Sequence, residues 1–230
     1  MIDVDAIRTS LPSFASGALL TFELTAAALV IGMAFALPLA VLRGARSRWV
    51  VGPVWLFTYV VRGTPLLVQL FLVYYGLGQF ESVRESWAWP WLRSAAFCAV
   101  ATFAVNTCAY TTEILHGAMQ AVPAGEIEAA RAMGMTRWVV LRRVVLPSAL
   151  RRFLPAYGNE AMFMLQATSL ASTVTLMDLT GAAREMNSRY YLPFEAFVTA
   201  AVIYLVITLA LVGLFHLAER RWLMPWQARP

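Results

Sequence analysis

Residues Glu128 to Pro147 read EAARAMGMTRWVVLRRVVLP, a charged stretch in a chain that is otherwise mostly hydrocarbon. Of the 230 residues, 60% are apolar and 13% are charged. A soluble domain is usually about half apolar and about a quarter charged, so this balance fits a lipid solvent. The class is polytopic membrane protein, a single transmembrane domain over residues 1–230, and the stretch 128–147 is an excursion into water between spans.

The apolar segments on either side set the topology. Gly17 to Leu42 carries Glu23 as its one charge and is long enough to cross a bilayer with tilt, at about 1.5 Å per residue. Arg43, Arg46 and Arg48 follow at once. An arginine cluster beside a span marks the cytoplasmic side, which places the N-terminus outside. The next apolar region, from Trp49 to about Phe80, is interrupted by Arg62-Gly63-Thr64-Pro65. It reads as one long broken helix or as an amphipathic helix followed by a span, and the favoured span is 65–79. Trp87, Trp89 and Trp91 suit an aromatic belt at the outer interface. Further spans are expected at 92–115, 153–176 and 196–217, giving five transmembrane helices in an all-α fold.

Charge tests that arrangement. Twelve arginines (43, 46, 48, 131, 137, 142, 143, 151, 152, 220, 221 and 229) fall inside and five (8, 84, 93, 184 and 189) outside, with Arg62 at an interface and unassigned. The asymmetry supports an external N-terminus and a cytoplasmic C-terminus. It also accounts for the net charge of +5 without nucleic acid.

All eighteen basic residues are arginine, which excludes a P-loop lysine or a Schiff-base lysine. Any ATP hydrolysis must come from another chain. Asp3 and Asp5 precede Arg8, so a basic signal-peptide head is lacking and the first span is expected to be retained. Cys98 and Cys108 lie about 15 Å apart along one helix, too far for a disulfide within it, and read as small core residues. His116 and His216 have no second ligand at metal spacing, so no metal site is expected.

The charged stretch has its own local logic. Pro123 suits the first turn of a helix, Glu126 and Glu128 favour its positive end, and Gly134 can supply a left-handed residue to end it. That predicts a helix of about nine residues. Thr136 is placed to cap a second helix from Arg137, which Pro147 is expected to kink or stop. Ala129 and Ala130 allow close approach of a partner, and Glu128 offers a charge to pair. An amphipathic helix lying at the head groups is the plainer alternative.

The full spacing is Glu128-Ala129-Ala130, three residues, Gly134, nine residues, Val144, one residue, Leu146-Pro147. It resembles the cytoplasmic coupling loop of the membrane subunits of bacterial ABC importers, with Val144 where the pattern usually has Ile. Arg62-Gly63-Thr64-Pro65-Leu66-Leu67-Val68-Gln69, the run Asn106 to Ile114, Val122-Pro123-Ala124-Gly125 and Leu146-Pro147-Ser148-Ala149-Leu150 are similar to the polar amino acid branch of these permeases. Within that branch they are most similar to one of the two membrane subunits of histidine/lysine/arginine/ornithine importers. Similarity runs from Gly17 to Trp222; the tail 224–230 carries no interpretable signal. Opine and glutamine-type permeases stay open as alternatives.

The resemblance implies a type I ABC importer permease fold in the bacterial inner membrane, with a coupling loop over 120–147 that docks on an ATPase through Glu126, Glu128, Ala129, Ala130, Gly134, Leu146 and Pro147. It implies three protein partners: a cytoplasmic ATP-binding subunit dimer, a second, paralogous permease subunit and a periplasmic amino-acid-binding protein. ATP and Mg would be bound by the partner ATPase, with no cofactor on this chain and no catalytic residue.

A carboxylate within a span costs about 3 kcal/mol or more at the bilayer centre, so Glu113 and Glu160 need a partner or a watered path. A cationic substrate is one such partner; pairing with Arg142 or Arg151, or bonding to helix ends, is the structural alternative. Asn159 precedes Glu160, and Gln166, Thr168 and Ser169 begin a polar run at membrane depth. These are candidate substrate contacts, although serine and threonine also bond their own helix backbone. Arg184 to Tyr191 is a candidate docking surface for the binding protein. An ion-coupled secondary transporter would need paired inverted repeats, which the chain lacks. A purely structural membrane component would not need buried glutamates.

Overall fold

The computed structural model describes residues 3–222. The tail 224–230, with Arg229, lies outside the described residues. Helix α1, Val4–Arg43, runs 40 residues, so the expected start at Gly17 falls inside one continuous helix. Asp3 begins it by accepting a hydrogen bond from the Ala6 amide at 3.0 Å. Its buried stripe is small: Gly17, Thr21, Thr25, Ala28, Gly32, Ala36 and Ala40. Small residues three or four positions apart let another backbone approach closely, which is how helices pack where lipid removes the hydrophobic drive. At Gly32 the helix laid along that stripe is α6, Ala95–Gln120, whereas Gly17 and Thr21 lie against Asp178 and Leu179.

Between them, α2 (Arg48–Gly63) and α3 (Leu66–Phe71, extended by tighter and looser turns to Gln79) meet at a bend of 101°. Thr64, ahead of Pro65, is extended, as the proline ring requires. The region 49–80 is thus two helical arms at a sharp corner, a 16-residue first arm and a second, Leu66–Gln79, that coincides with the favoured span 65–79. Short turns α4 (Glu81–Arg84) and α5 (Trp89–Leu92) lead to α6, with Trp87 and Trp91 edge to face at 5.7 Å.

Beyond α6, α7 (Ala124–Ala132) starts after Pro123 and has the expected nine residues. Gly134 then takes φ +79°, the left-handed turn that ends it. Helix α8 (Arg137–Val140) begins at Thr136, whose side chain makes no capping bond. Pro147 does not stop the helix: α8 passes through a π-helical turn, Leu141–Val145, into α9, Leu146–Ala167. The widened turn just ahead of Pro147 takes up the ring that would otherwise strike a carbonyl one turn back.

After α9 the chain tightens to a 3-10 segment, Thr168–Val174, and reverses at Thr175 with φ 71°. Asp178 caps α10 (Leu179–Tyr190), accepting from the amides of Thr180 and Gly181. Helix α11, Pro193–Trp222, closes the described chain. Among the described residues α1, α6 and α11 are long and apolar enough to cross a membrane, and a fourth span is added if the bent α2–α3 pair counts as one. Helix α9, which carries Arg151, Arg152 and Glu160, is not among them.

Candidate substrate cavity and coupling helix

Helices α6 and α9 pack against each other and leave a cavity of about 500 Å³ between them. Asn106, Tyr110 and Ile114, one face of α6 at four-residue spacing, form one wall; Asn159, Glu160, Phe163 and Met164 of α9 form the other. Glu160 is 7% exposed, and its Oε1 accepts a hydrogen bond from the Thr107 hydroxyl at 2.8 Å. Thr107 is pressed into place by α1, because a Cβ built on Gly32 would overlap the Thr107 methyl.

The break between α2 and α3 borders the same region. Its freed carbonyls are answered by side chains: Gln69 Nε2 donates to the carbonyls of Val61 at 2.7 Å and Thr64 at 3.1 Å, and Tyr110 donates to that of Arg62 at 3.5 Å. Asn106 in turn donates to Gln69 Oε1 at 3.3 Å. Neighbouring α6 residues therefore serve two purposes: Asn106 steadies the break and Thr107 holds Glu160. Bent membrane helices survive only where such groups satisfy the backbone they release.

The six candidate path residues separate in space. Asn159 and Glu160 line the cavity together. Glu113 lies one turn beyond Tyr110 and does not line it: Thr58 of α2 donates to its Oε1 at 2.7 Å and Arg43 of α1 at 3.0 Å. The arginine that bonds Glu113 is 70 positions away in the chain. Thr168 is buried with its hydroxyl on the Leu165 carbonyl at 2.6 Å, and Ser169 accepts through its own carbonyl from Ser172. Both sit in the 3-10 segment, where residues three apart are eclipsed and such bonds are short. Gln166 is exposed, close to the Asn159 side of α9. Asn106, Tyr110 and Phe163 were not singled out by sequence; an Asn four residues before a Tyr on an apolar helix is the signal that marks two of them.

At the C-terminal end of α6 the short helix α7 follows, with Ile127 packed against the cluster that holds Leu115 and Phe153. Ala130 is buried beneath it while Glu126, Glu128 and Ala129 face outward. Met133 is 76% exposed and Trp138 65% exposed beside them. Exposed acidic and large apolar side chains on one stub make a surface suited to another protein. Leu146 and Pro147 belong to α9, after the π turn, and so lie on the helix that also carries the cavity-wall residues.

A helical membrane chain with a carboxylate-bearing cavity and an external charged stub has the parts of a transport component rather than of an enzyme. The family model of binding-protein-dependent transport system inner membrane components matches residues 28–224, and the chain belongs to that family. The octopine transport system permease protein OccM of Rhizobium radiobacter is 46% identical over 204 residues, which cover 89% of this chain and 83% of that protein. The histidine/lysine/arginine/ornithine transport system permease protein HisM of Escherichia coli strain K12 is 47% identical over 209 residues, 90% of this chain and 88% of its own. A crystal structure of an amino acid ABC transporter with histidines superposes with a TM-score of 0.87 at 36% identity, covering 96% of this chain and 99% of that one. The fold is that of a type I ABC importer permease.

Proposed function

We propose that this chain is the permease subunit of an ATP-driven ABC importer for polar, basic amino acids, with Glu160 as the group that receives the substrate's cation. The observation that carries this is the buried Glu160 carboxylate, held by the neutral Thr107 hydroxyl in the wall of a cavity. A buried carboxylate without a full countercharge favours a cationic ligand, and intramembrane carboxylates mark transport paths. HisM and OccM, whose names give basic amino acids and octopine as cargo, support the class. The octopine likeness favours an opine as the second reading.

In this proposal the chain has five spans, α9 being the fourth, with its N-terminus outside and its C-terminus in the cytoplasm. Closure of a cytoplasmic ATPase dimer moves α7 through Glu126, Glu128, Ala129, Ala130 and Gly134, and the rigid run from α8 through Leu146 and Pro147 carries that motion to Asn159 and Glu160. A second, paralogous permease subunit faces the cavity, where exposed Gln166 lies within its reach. Thr168 and Ser169 support the path by shaping the 3-10 end of α9. The exposed side of α10, with Arg184, Glu185, Ser188 and Arg189, receives the periplasmic binding protein.

The experiment is ATPase activity of the complex in lipid with its binding protein, for wild type and Glu160→Gln, with arginine, histidine or glutamine. Stimulation by arginine and histidine but not glutamine, lost in Glu160→Gln while basal turnover persists, is the expected result. Stimulation by glutamine, or a mutant that behaves as wild type, sinks the cation assignment.

A further inference from the structure

A positive group lies against one wall residue of the cavity. Arg62 ends α2 at the break, and its guanidinium lies over the ring of Tyr110 with Cζ 5.1 Å from the centroid. Tyr110 is itself a wall residue of the Glu160 cavity. Among the described residues Arg62 and Glu160 form no ion pair. Glu160 is thus held by Thr107 in the cavity wall, and Arg62 lies against the ring of Tyr110, a residue of the same wall.

Stacking occupies the flat face of a guanidinium and leaves its in-plane N–H donors free. Those donors form the fork that grips a carboxylate through two parallel hydrogen bonds. The carbonyls around the break, which would otherwise compete for them, are already taken by Gln69 and Tyr110. A ligand with a carboxylate at one end and a cation at the other complements the two charges, and a basic amino acid is such a ligand.

We propose that Arg62 is the carboxylate arm of the substrate site, taking the α-carboxylate of an amino acid whose cationic side chain lies against Glu160. This rests on the reading of Glu160 above. It assigns Arg62 a role in choosing free amino acids over amines and amides of the same side chain. A merely structural Arg62, placed to complement the negative end of α2, would show no such preference.

The test is calorimetric binding of L-arginine and L-argininamide, which lacks the carboxylate charge, to the whole permease–ATPase complex in phospholipid nanodiscs without binding protein. Wild type is expected to bind arginine at least about tenfold more tightly than the amide. Arg62→Gln should abolish that preference by weakening arginine alone. Arg62→Lys, which keeps the charge without the fork, should retain part of it and serves if the glutamine variant does not assemble. Equal weakening of both ligands in either variant, or no preference in wild type, overturns the proposal. Unchanged binding of both ligands to Glu160→Gln removes the Glu160 reading instead, while the ratio in the Arg62 variants still decides the carboxylate arm.

Discussion

The hydroxyl of Thr107 on α6 donates to the carboxylate of Glu160 on α9 at 2.8 Å, across 53 positions of sequence. That bond joins the two helices that wall the cavity and aims the acidic group. It is also the point where α1 bears on the site, since Gly32 lies against the same threonine.

Removing the hydroxyl while keeping the shape should leave the carboxylate short of a donor. Thr107→Val is expected to lower stability by about 1–3 kcal/mol, the cost of an unanswered buried polar group. Thr107→Ser should recover most of it. Thermal unfolding of the detergent-purified complex measures both, and a valine variant as stable as wild type would show that the bond contributes nothing.

Gly32 is a packing requirement of the α1–α6 crossing. Gly32→Ala should cost about 1–3 kcal/mol through overpacking against the Thr107 methyl and the Ala104 carbonyl, 3.1 Å from the added carbon. Gly213→Ala, at a helical glycine with nothing within 4 Å, should be neutral or stabilising. Melting temperatures of the two variants that move together would contradict this packing.

Arg43 and Glu113 form a tie between α1 and α6, with Thr58 bringing in α2. Both side chains are only 20% exposed, so the pair is partly shielded. A double-mutant cycle with Arg43→Gln and Glu113→Gln should give a coupling of about 1–3 kcal/mol. Glu113→Gln should also leave arginine-stimulated ATPase largely intact, because this carboxylate does not line the cavity. Loss of stimulation without loss of stability would move Glu113 into the path.

Gln69 staples the bend of the α2–α3 pair by donating to Val61 and Thr64. Gln69→Leu should release those carbonyls and the Asn106 amide together, lowering transport at least severalfold. Gln69→Glu cannot donate when ionised and should fail in the same way, whereas Gln69→Asn is too short to reach. Substrate uptake into proteoliposomes reads the effect, and normal uptake by the leucine variant would be the contrary outcome.

The helical stub at α7 should fail separately from the cavity. Gly134→Ala places a Cβ at φ +79°, at a cost of about 1 kcal/mol, and loosens the turn behind α7. Glu128→Arg reverses the outward charge. Both variants should bind arginine as wild type does but show uptake and substrate-stimulated ATPase reduced by about tenfold or more. Lost arginine binding in either would place the defect in the fold instead.

Much of the stub is legible in the residues themselves, because its cues act over a few positions. Pro123 presets the first turn, Glu126 suits the helix start and Gly134 alone tolerates the left-handed turn that ends it. The same local logic misjudges Pro147, since a π turn over Leu141–Val145 absorbs its ring and lets the helix continue. The bend at Arg62–Pro65 is visible as an interruption. Its 101° corner and the Gln69 staple are not, because the staple depends on where a side chain reaches back across the break.

Composition and spacing alone establish that this chain lives in lipid, is helical, carries no nucleotide-binding lysine and has a charged helical stub between its apolar helices. These properties follow from the cost of charge in hydrocarbon and from cues that act within a turn or two of helix. Which carboxylate faces the cavity is settled by tertiary packing. Glu113 and Glu160 are both acids in apolar stretches of the chain with equal claims in the sequence. One meets Arg43 and Thr58, and the other meets a single hydroxyl and an open space, because helices distant in sequence are brought together by the small-residue stripe of α1. Burial and partner are properties of that packing, and local chemistry does not contain them.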